Sequence, residues 1–163
     1  MSEVSVRAAR PEEFAAVGEL TASAYLNDGL ITPDDDYVTE LRDAAHRAEH
    51  AELLVAVDDG GVLGTVTIVR PGTHYAEISR PGELEFRMLA TAPAARGRGV
   101  GELLSRAVID RARELGASAV VMSSLDAMRT AHRLYRRIGF GRLPERDHEP
   151  LPGLWLRAFQ LTL

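Results

Sequence analysis

The stretch ELEFRMLATAPAARGRGVGELLSRAVIDRAREL, Glu83 to Leu115, decides the fold. Its first part reads as a strand, Glu83–Ala92, closed by Pro93, which has no N–H to offer a neighbouring strand. Its last part reads as a helix, Gly99–Leu115, with Gly116 as C-terminal cap. Val100, Leu103, Leu104, Ala107, Val108 and Leu115 recur on it at about 3.6-residue spacing. Between the two lies Arg96-Gly97-Arg98-Gly99-Val100-Gly101, a glycine-rich arch at the helix start. Helix N-termini carry unpaired N–H groups and the positive end of the dipole, so they attract anions. Glycines there let a phosphate approach without a Cβ in the way. The arch therefore points to an anion site for a phosphorylated cofactor.

Two familiar phosphate loops fail on the residues. A Walker loop needs a Lys, and the chain contains none. The dinucleotide fingerprint needs Gly at position 102, where Glu102 stands. The pattern that fits is Arg96-x-x-Gly99-x-Gly101, preceded by Leu89-Ala90-Thr91-Ala92-Pro93 and followed by Ala131-His132-Arg133-Leu134-Tyr135-Arg136-Arg137-Ile138-Gly139-Phe140. In that order the three segments resemble the acetyl-CoA arch, the strand end and the A-x-x-L-Y-x-x-x-G-F segment of the GNAT superfamily of N-acyltransferases. The resemblance covers nearly the whole chain and is tightest from 83 to 140. It implies a mostly antiparallel mixed α/β sheet with helices on both faces, whose strands before and after the arch helix splay apart around the cofactor. It also implies transfer of an acetyl group from acetyl-CoA to a primary amine by direct attack, through a tetrahedral intermediate.

Bulk properties bound the answer. A chain of 163 residues fits one domain spanning 1–163. No apolar run approaches the ~20 residues needed to cross a bilayer, so no membrane partner is expected. The N-terminal MSEVSVRAARPEEF lacks the regions of a secretion leader, and without Cys there is neither disulfide nor thiol nucleophile. A cytoplasmic address is the expectation. The net charge of -5 hides an asymmetry: 6 Arg face 15 acids in residues 1–82, and 13 Arg face 9 acids in 83–163. A basic half suits an anionic cofactor, and an acidic half weakly favours a cationic amine. No nucleic-acid motif is present. No spacing suggests a metal site, and the Asp34–Asp36 run reads as helix capping.

Along the chain, Val4–Ala8 reads as a strand and Pro11 opens a helix through Ala24, broken at Asn27-Asp28-Gly29. Thr32–Asp36 opens a second helix carrying Tyr37, Leu41, Ala44 and Ala45. Leu53–Val57 and Val62–Val69 read as a hairpin around Asp58–Gly61, followed by a loop over 70–82 with two Pro-Gly pairs. Ala119–Met122 is a strand, and Asp126 is the expected cap of a helix reaching Ile138. Phe140–Leu143 begins another strand, 144–153 is a loop, and Leu154–Leu163 is the last strand. This order implies a mixed sheet covered by helices on both faces.

Acyl transfer to an amine needs a held cofactor, a neutral amine, an oxyanion partner and a proton for the leaving thiolate. By resemblance, the backbone of Arg96, Gly97, Arg98, Gly99, Val100 and Gly101 holds the pyrophosphate, and the backbone of Leu89, Ala90 and Thr91 faces the thioester and pantetheine. Tyr135 stands at the family's general-acid position; the other reading is that it packs on the apolar face and only orients the sulfur. Glu85, eleven positions before Arg96, is the candidate base by the same resemblance. Glu83, Glu85 and Arg87 alternate on one strand face, opposite Leu84, Phe86 and Met88, so a Glu85–Arg87 ion pair is the competing reading. His74, His132 and His148 are alternative bases by intrinsic pKa; His74 and His148 fall in loops that could line the acceptor mouth, with plain surface the competing reading, and His132 is expected to face solvent. Rival functions keep the fold but use a bulkier acyl-CoA, or bind CoA without turnover. The acceptor carries no recognisable motif, and a homodimer is an expectation from relatives alone.

Overall fold

The computed structural model describes residues 3–163. In chain order the elements are β1 (Ser5–Ala8), α1 (Phe14–Asn27), α2 (Tyr37–Arg42), α3 (Ala44–His50), β2 (Glu52–Asp58), β3 (Gly61–Val69) and β4 (Glu83–Thr91). There follow α4 (Val100–Glu114), β5 (Ala119–Leu125), α5 (Arg129–Ile138), β6 (Gly141–Arg142), β7 (His148–Leu151) and β8 (Leu154–Thr162). The strands form one sheet in the order β1-β2-β3-β4-β5-β8-β6, with β7 added to β8. Every pairing is antiparallel except β4 with β5. Among the described residues no helix is long and apolar enough to cross a membrane.

The core divides between the two faces of the sheet. On one, Leu84, Phe86, Val120 and Met122 pack with Leu104, Val108 and Tyr135 from α4 and α5. On the other, Val69, Tyr75 and Met88 pack with Ala22, Tyr25 and Leu41 from α1 and α2. The buried face of α4 is rotated from the one its sequence suggests: Val100, Leu104, Ser105, Val108, Ile109 and Ala112 are buried, while Leu103 and Leu115 are exposed. Each buried aliphatic side chain contributes about 1.5–3 kcal/mol. Gly116 ends the helix as expected, at φ 72°, with its amide on Arg113 and the Ala117 amide on Ala112.

Two close backbone approaches fix where the helices lie. A Cβ on Gly64 would sit 2.7 Å from Val100 Cγ1, which seats the start of α4 directly on β3. A Cβ on Gly18 would sit 2.0 Å from the Arg42 carbonyl, which seats α2 directly on α1.

Three local expectations are corrected. The second helix is two, because Asp43 leaves the helical region (φ -86°, ψ 66°) and its carboxylate accepts the His46 amide at 3.1 Å. Buried Arg47 then donates to the Leu41 carbonyl and to the Glu40 carbonyl, which also accepts the Asp43 amide, at the end of short α2. Asp126 does not cap α5, which begins at Arg129; it pairs with Arg157 at 3.0 Å. Residues 148–151 are a strand rather than loop, because β8 is long enough to pair with β5 along one edge and with both β6 and β7 on the other.

Candidate active site

The site grows out of one irregularity in β4. Thr67 pairs with Arg87 and Thr65 with Ala90, so Met88 and Leu89 together oppose the single residue Val66. This is a β-bulge, and Met88 adopts φ 55°, a left-handed conformation uncommon outside glycine. The extra residue reverses the alternation. Met88 packs on the α1 side, with Tyr25 and Tyr75, and Leu89 packs on the α4 side. Met88 thus does not share a face with Leu84 and Phe86, as strict alternation predicts.

The neighbouring strand leaves room beside the bulge. β4 and β5 pair only at Glu83–Glu85 with Ala119–Val121, yet both continue, to Thr91 and Leu125. Beyond that short ladder the strands part into a wedge. A cleft of about 470 Å3 opens there, with Phe86, Arg87, Met88 and Leu89 on one wall and Met122, Ser123, Ser124 and Leu125 on the other.

Tyr135 of α5 lines the same cleft, 2% exposed, with Phe86, Phe140 and Phe159 around its ring at centroid distances of 5.8–5.9 Å. Burial alone pushes its phenol well above the ordinary value, so the group stays protonated.

The arch lies outside that cleft but adjoins it at the end of β4, where a Cβ on Gly101 would be 3.9 Å from Thr91 Oγ1. Gly97 (φ 85°) and Gly99 (φ 75°) are both left-handed, and a Cβ on either would meet open space, so their requirement is conformational. The Leu103 amide is the one that closes the first helical turn, on the Gly99 carbonyl. The amides of 100–102 are those a helix start leaves to an external acceptor. Arg96 and Arg98 turn away from the arch: Arg96 pairs with Asp28 and Arg98 with Asp58, each at 3.0 Å. They tie it to the end of α1 and to the β2–β3 turn.

Glu85 is fully buried and does not line the cleft. Its carboxylate accepts the amides of Glu77, Ile78 and Ser79 at 3.1–3.3 Å and the Ser79 hydroxyl at 2.8 Å. Burial raises its pKa, those hydrogen bonds oppose the rise, and the nearby Glu77 charge adds to it. The Glu85–Arg87 pair does not form. Arg87 instead pairs with Glu77 at 2.9 Å and donates to the Tyr75 carbonyl and the Tyr37 hydroxyl, both at 3.2 Å.

The other end of the cleft is bounded by the opposite side of the sheet. Tyr25, Tyr37 and Tyr75 line it together with the carboxylates of Asp35, Glu40 and Glu77. His74 lines it too, beside His46 and His50, and His46 is hydrogen-bonded to the Tyr75 hydroxyl. This histidine–tyrosine cluster has no signal in the sequence, since α3 and the 70–82 loop meet only in the fold. His148 is not part of the cleft wall; its Nδ1 lies 3.3 Å from the Arg146 carbonyl. His132 is buried, not outward: its ring packs against Phe159 in a tilted contact and bonds Ser124 Oγ at 3.1 Å. A signal existed, because it stands four residues after Met128 and three before Tyr135, on the same helical stripe.

Comparison with known proteins agrees with this geometry. The model of the acetyltransferase (GNAT) family matches residues 14–140. An uncharacterized N-acetyltransferase of Schizosaccharomyces pombe is 31% identical over 129 residues, 79% of this chain and 74% of that protein. N-acetylaspartate synthetase of Rattus norvegicus is 33% identical over 102 residues, 63% of this chain and only 32% of that protein. A GNAT family acetyltransferase from Brucella melitensis, solved in complex with acetyl-CoA, superposes with a TM-score of 0.66 at 22% identity, over 100% of this chain and 90% of that one. The chain belongs to the GNAT family of N-acetyltransferases.

Proposed function

We propose that residues 1–163 act as one acetyl-CoA-dependent N-acetyltransferase domain whose acceptor is a primary amine, cationic in solution. The observation that carries this reading is the parting of β4 and β5 beside a bulge, with the arch at one end and Tyr135 in between. The acyl donor supplies an activated thioester. The residues present suit it: left-handed glycines keep Cβ atoms off the arch, and the open amides of 100–102 suit a diphosphate. Only the main chain is asked to act there, since both arch arginines are engaged elsewhere.

Leu89, displaced by the bulge, would offer its N–H to the developing oxyanion, a contact worth about 3 kcal/mol in acyl-transfer sites. Ala90 and Thr91 continue the same edge. Tyr135 would give its proton to the leaving sulfur. Its raised pKa suits that role only in a cleft where the thiolate is equally poorly solvated, which its burial among aromatic rings supports. Glu85 is better placed to order residues 77–79 than to take a proton from an amine. Asp35, Glu40 and Glu77, with Arg87 balancing only Glu77, favour a cationic acceptor among the tyrosines.

The test is thiol release from acetyl-CoA over a panel of polyamines, arylalkylamines, aminoglycosides, amino acids and peptides. Turnover restricted to cationic amines is expected. Tight CoA binding with no turnover on any amine would replace the transferase by a CoA-binding module.

A further inference from the structure

A second concavity, of about 460 Å3, lies on the opposite side of α5. That helix, RTAHRLYRRI, holds four Arg and no acid. Arg129, His132, Arg133 and Arg136 fall in one arc of it and line the concavity. Ala131, Leu134 and Ile138 fall in the opposite arc and pack on the core. Leu134 is also the side chain nearest the arch, 3.3 Å from a Cβ built on Gly101. The arginine face and the arch therefore lie on different sides of the helix.

The far wall adds Arg142 from β6 and Arg157 from β8 over the ring of Phe159, with Arg142 at 5.4 Å from its centroid. Carboxylates pair directly with this wall, and Asp126, on the lining, also lies within electrostatic reach of Arg129. Arg142 and Arg157 share Asp147, at 2.9 and 3.4 Å, and Arg157 also holds Asp126 at 3.0 Å. Among the described residues no ion pair engages Arg129, Arg133 or Arg136, and Arg133 donates to Thr130 Oγ1 at 3.1 Å. Helix stability does not account for this. Arg136 suits the negative end of the dipole, but Arg129 stands in the first turn, where a cation is disfavoured. Five arginines gathered round a concavity against two carboxylates, Asp126 on its lining and Asp147 behind it, leave an excess of positive charge that an anion would match.

We propose that this concavity binds a small phosphate-bearing anion, held by Arg129, Arg133 and Arg136 with Arg142 and Arg157 at its edge. Guanidinium forks match phosphate oxygens bidentately, and the excess of five arginines over two carboxylates suits a diphosphate better than a single carboxylate. The site is separate from the arch and does not depend on the chain's binding CoA.

The experiment is calorimetric titration of the full chain with inorganic pyrophosphate, with and without added CoA. Saturable binding that survives CoA is expected. The Arg129→Ala/Arg136→Ala double variant should weaken it at least about tenfold. Arg137→Ala, which removes a helix charge paired with Glu102 outside the concavity, should leave the affinity within about twofold. Absence of saturable binding, displacement by CoA, or equal losses in the two variants would overturn the proposal.

Discussion

Glu77 and Arg87 form a 2.9 Å ion pair on the wall of the cleft, and it is this pair, not Glu85 with Arg87, that the strand face makes. Residues 77–79 fold over β4, so the carboxylate ten positions upstream in that loop reaches the guanidinium more easily than one two places along the same strand. Glu85 is left to bind the loop's backbone.

Glu85 should accordingly behave as a structural acid. Glu85→Ala strands the amides of 77–79 and is expected to destabilise the fold by about 2–3 kcal/mol, read by chemical denaturation. The folded pKa is raised, so the folded state holds the proton more tightly than the unfolded one. The stability this gives is fully present below the unfolded value of 4.5 and is lost as pH rises through the folded value. A variant of native stability with a lost acid limb in its pH–rate profile would restore Glu85 as a base.

Tyr135→Phe is expected to lower kcat by about a hundredfold while KM for acetyl-CoA changes little. Removing one hydroxyl from a ring held by three aromatic neighbours should leave the packing intact. Steady-state kinetics decide it: an unchanged kcat reduces the residue to packing. With the phenol pushed upward by burial, activity should also show no loss on crossing the ordinary phenol range near pH ~10.

Gly99 separates conformation from ligand contact. Gly99→Ala must hold φ 75° with a Cβ and should destabilise by about 1 kcal/mol, although nothing in the protein touches the added methyl. Gly99→Glu should carry a similar stability loss and in addition abolish CoA binding, by bulk and by like charge. Normal CoA affinity in the Glu variant, measured by calorimetry, would remove the arch assignment.

Asp147 anchors the β6–β8 corner. Its pKa is lowered from 3.8 to about 2, first by the Arg142 hydrogen bonds and then by the Ala158 amide and Arg157, against an opposing effect of burial. The proton is held less tightly in the folded state, so this stability is present above 3.8 and is lost as pH falls through about 2. Asp147→Asn should lower Tm at neutral pH and flatten the fall of Tm between those two values. An identical acid slope in the variant would show that the pair is not what acid breaks.

The strand Glu83–Thr91, the left-handed arch and the helix from Val100 are local: a proline, three glycines and an apolar period name them within thirty residues. With the Ala131–Phe140 segment they were enough to place the chain in its family. Other features depend on partners far along the chain. The bulge at Met88 exists because β3 is one residue short opposite it, which no property of Met88 announces. His132 is buried because Phe159 and Ser124 meet it, although its own helix is strongly basic. The wedge exists because β4 and β5 stop pairing after three residues, and the arginines of α5 gather at a concavity only where β6 and β8 supply the opposite wall. Backbone conformation and amphipathic period are encoded within a few residues; register, burial and charge pairing are set by which distant segment comes to lie alongside.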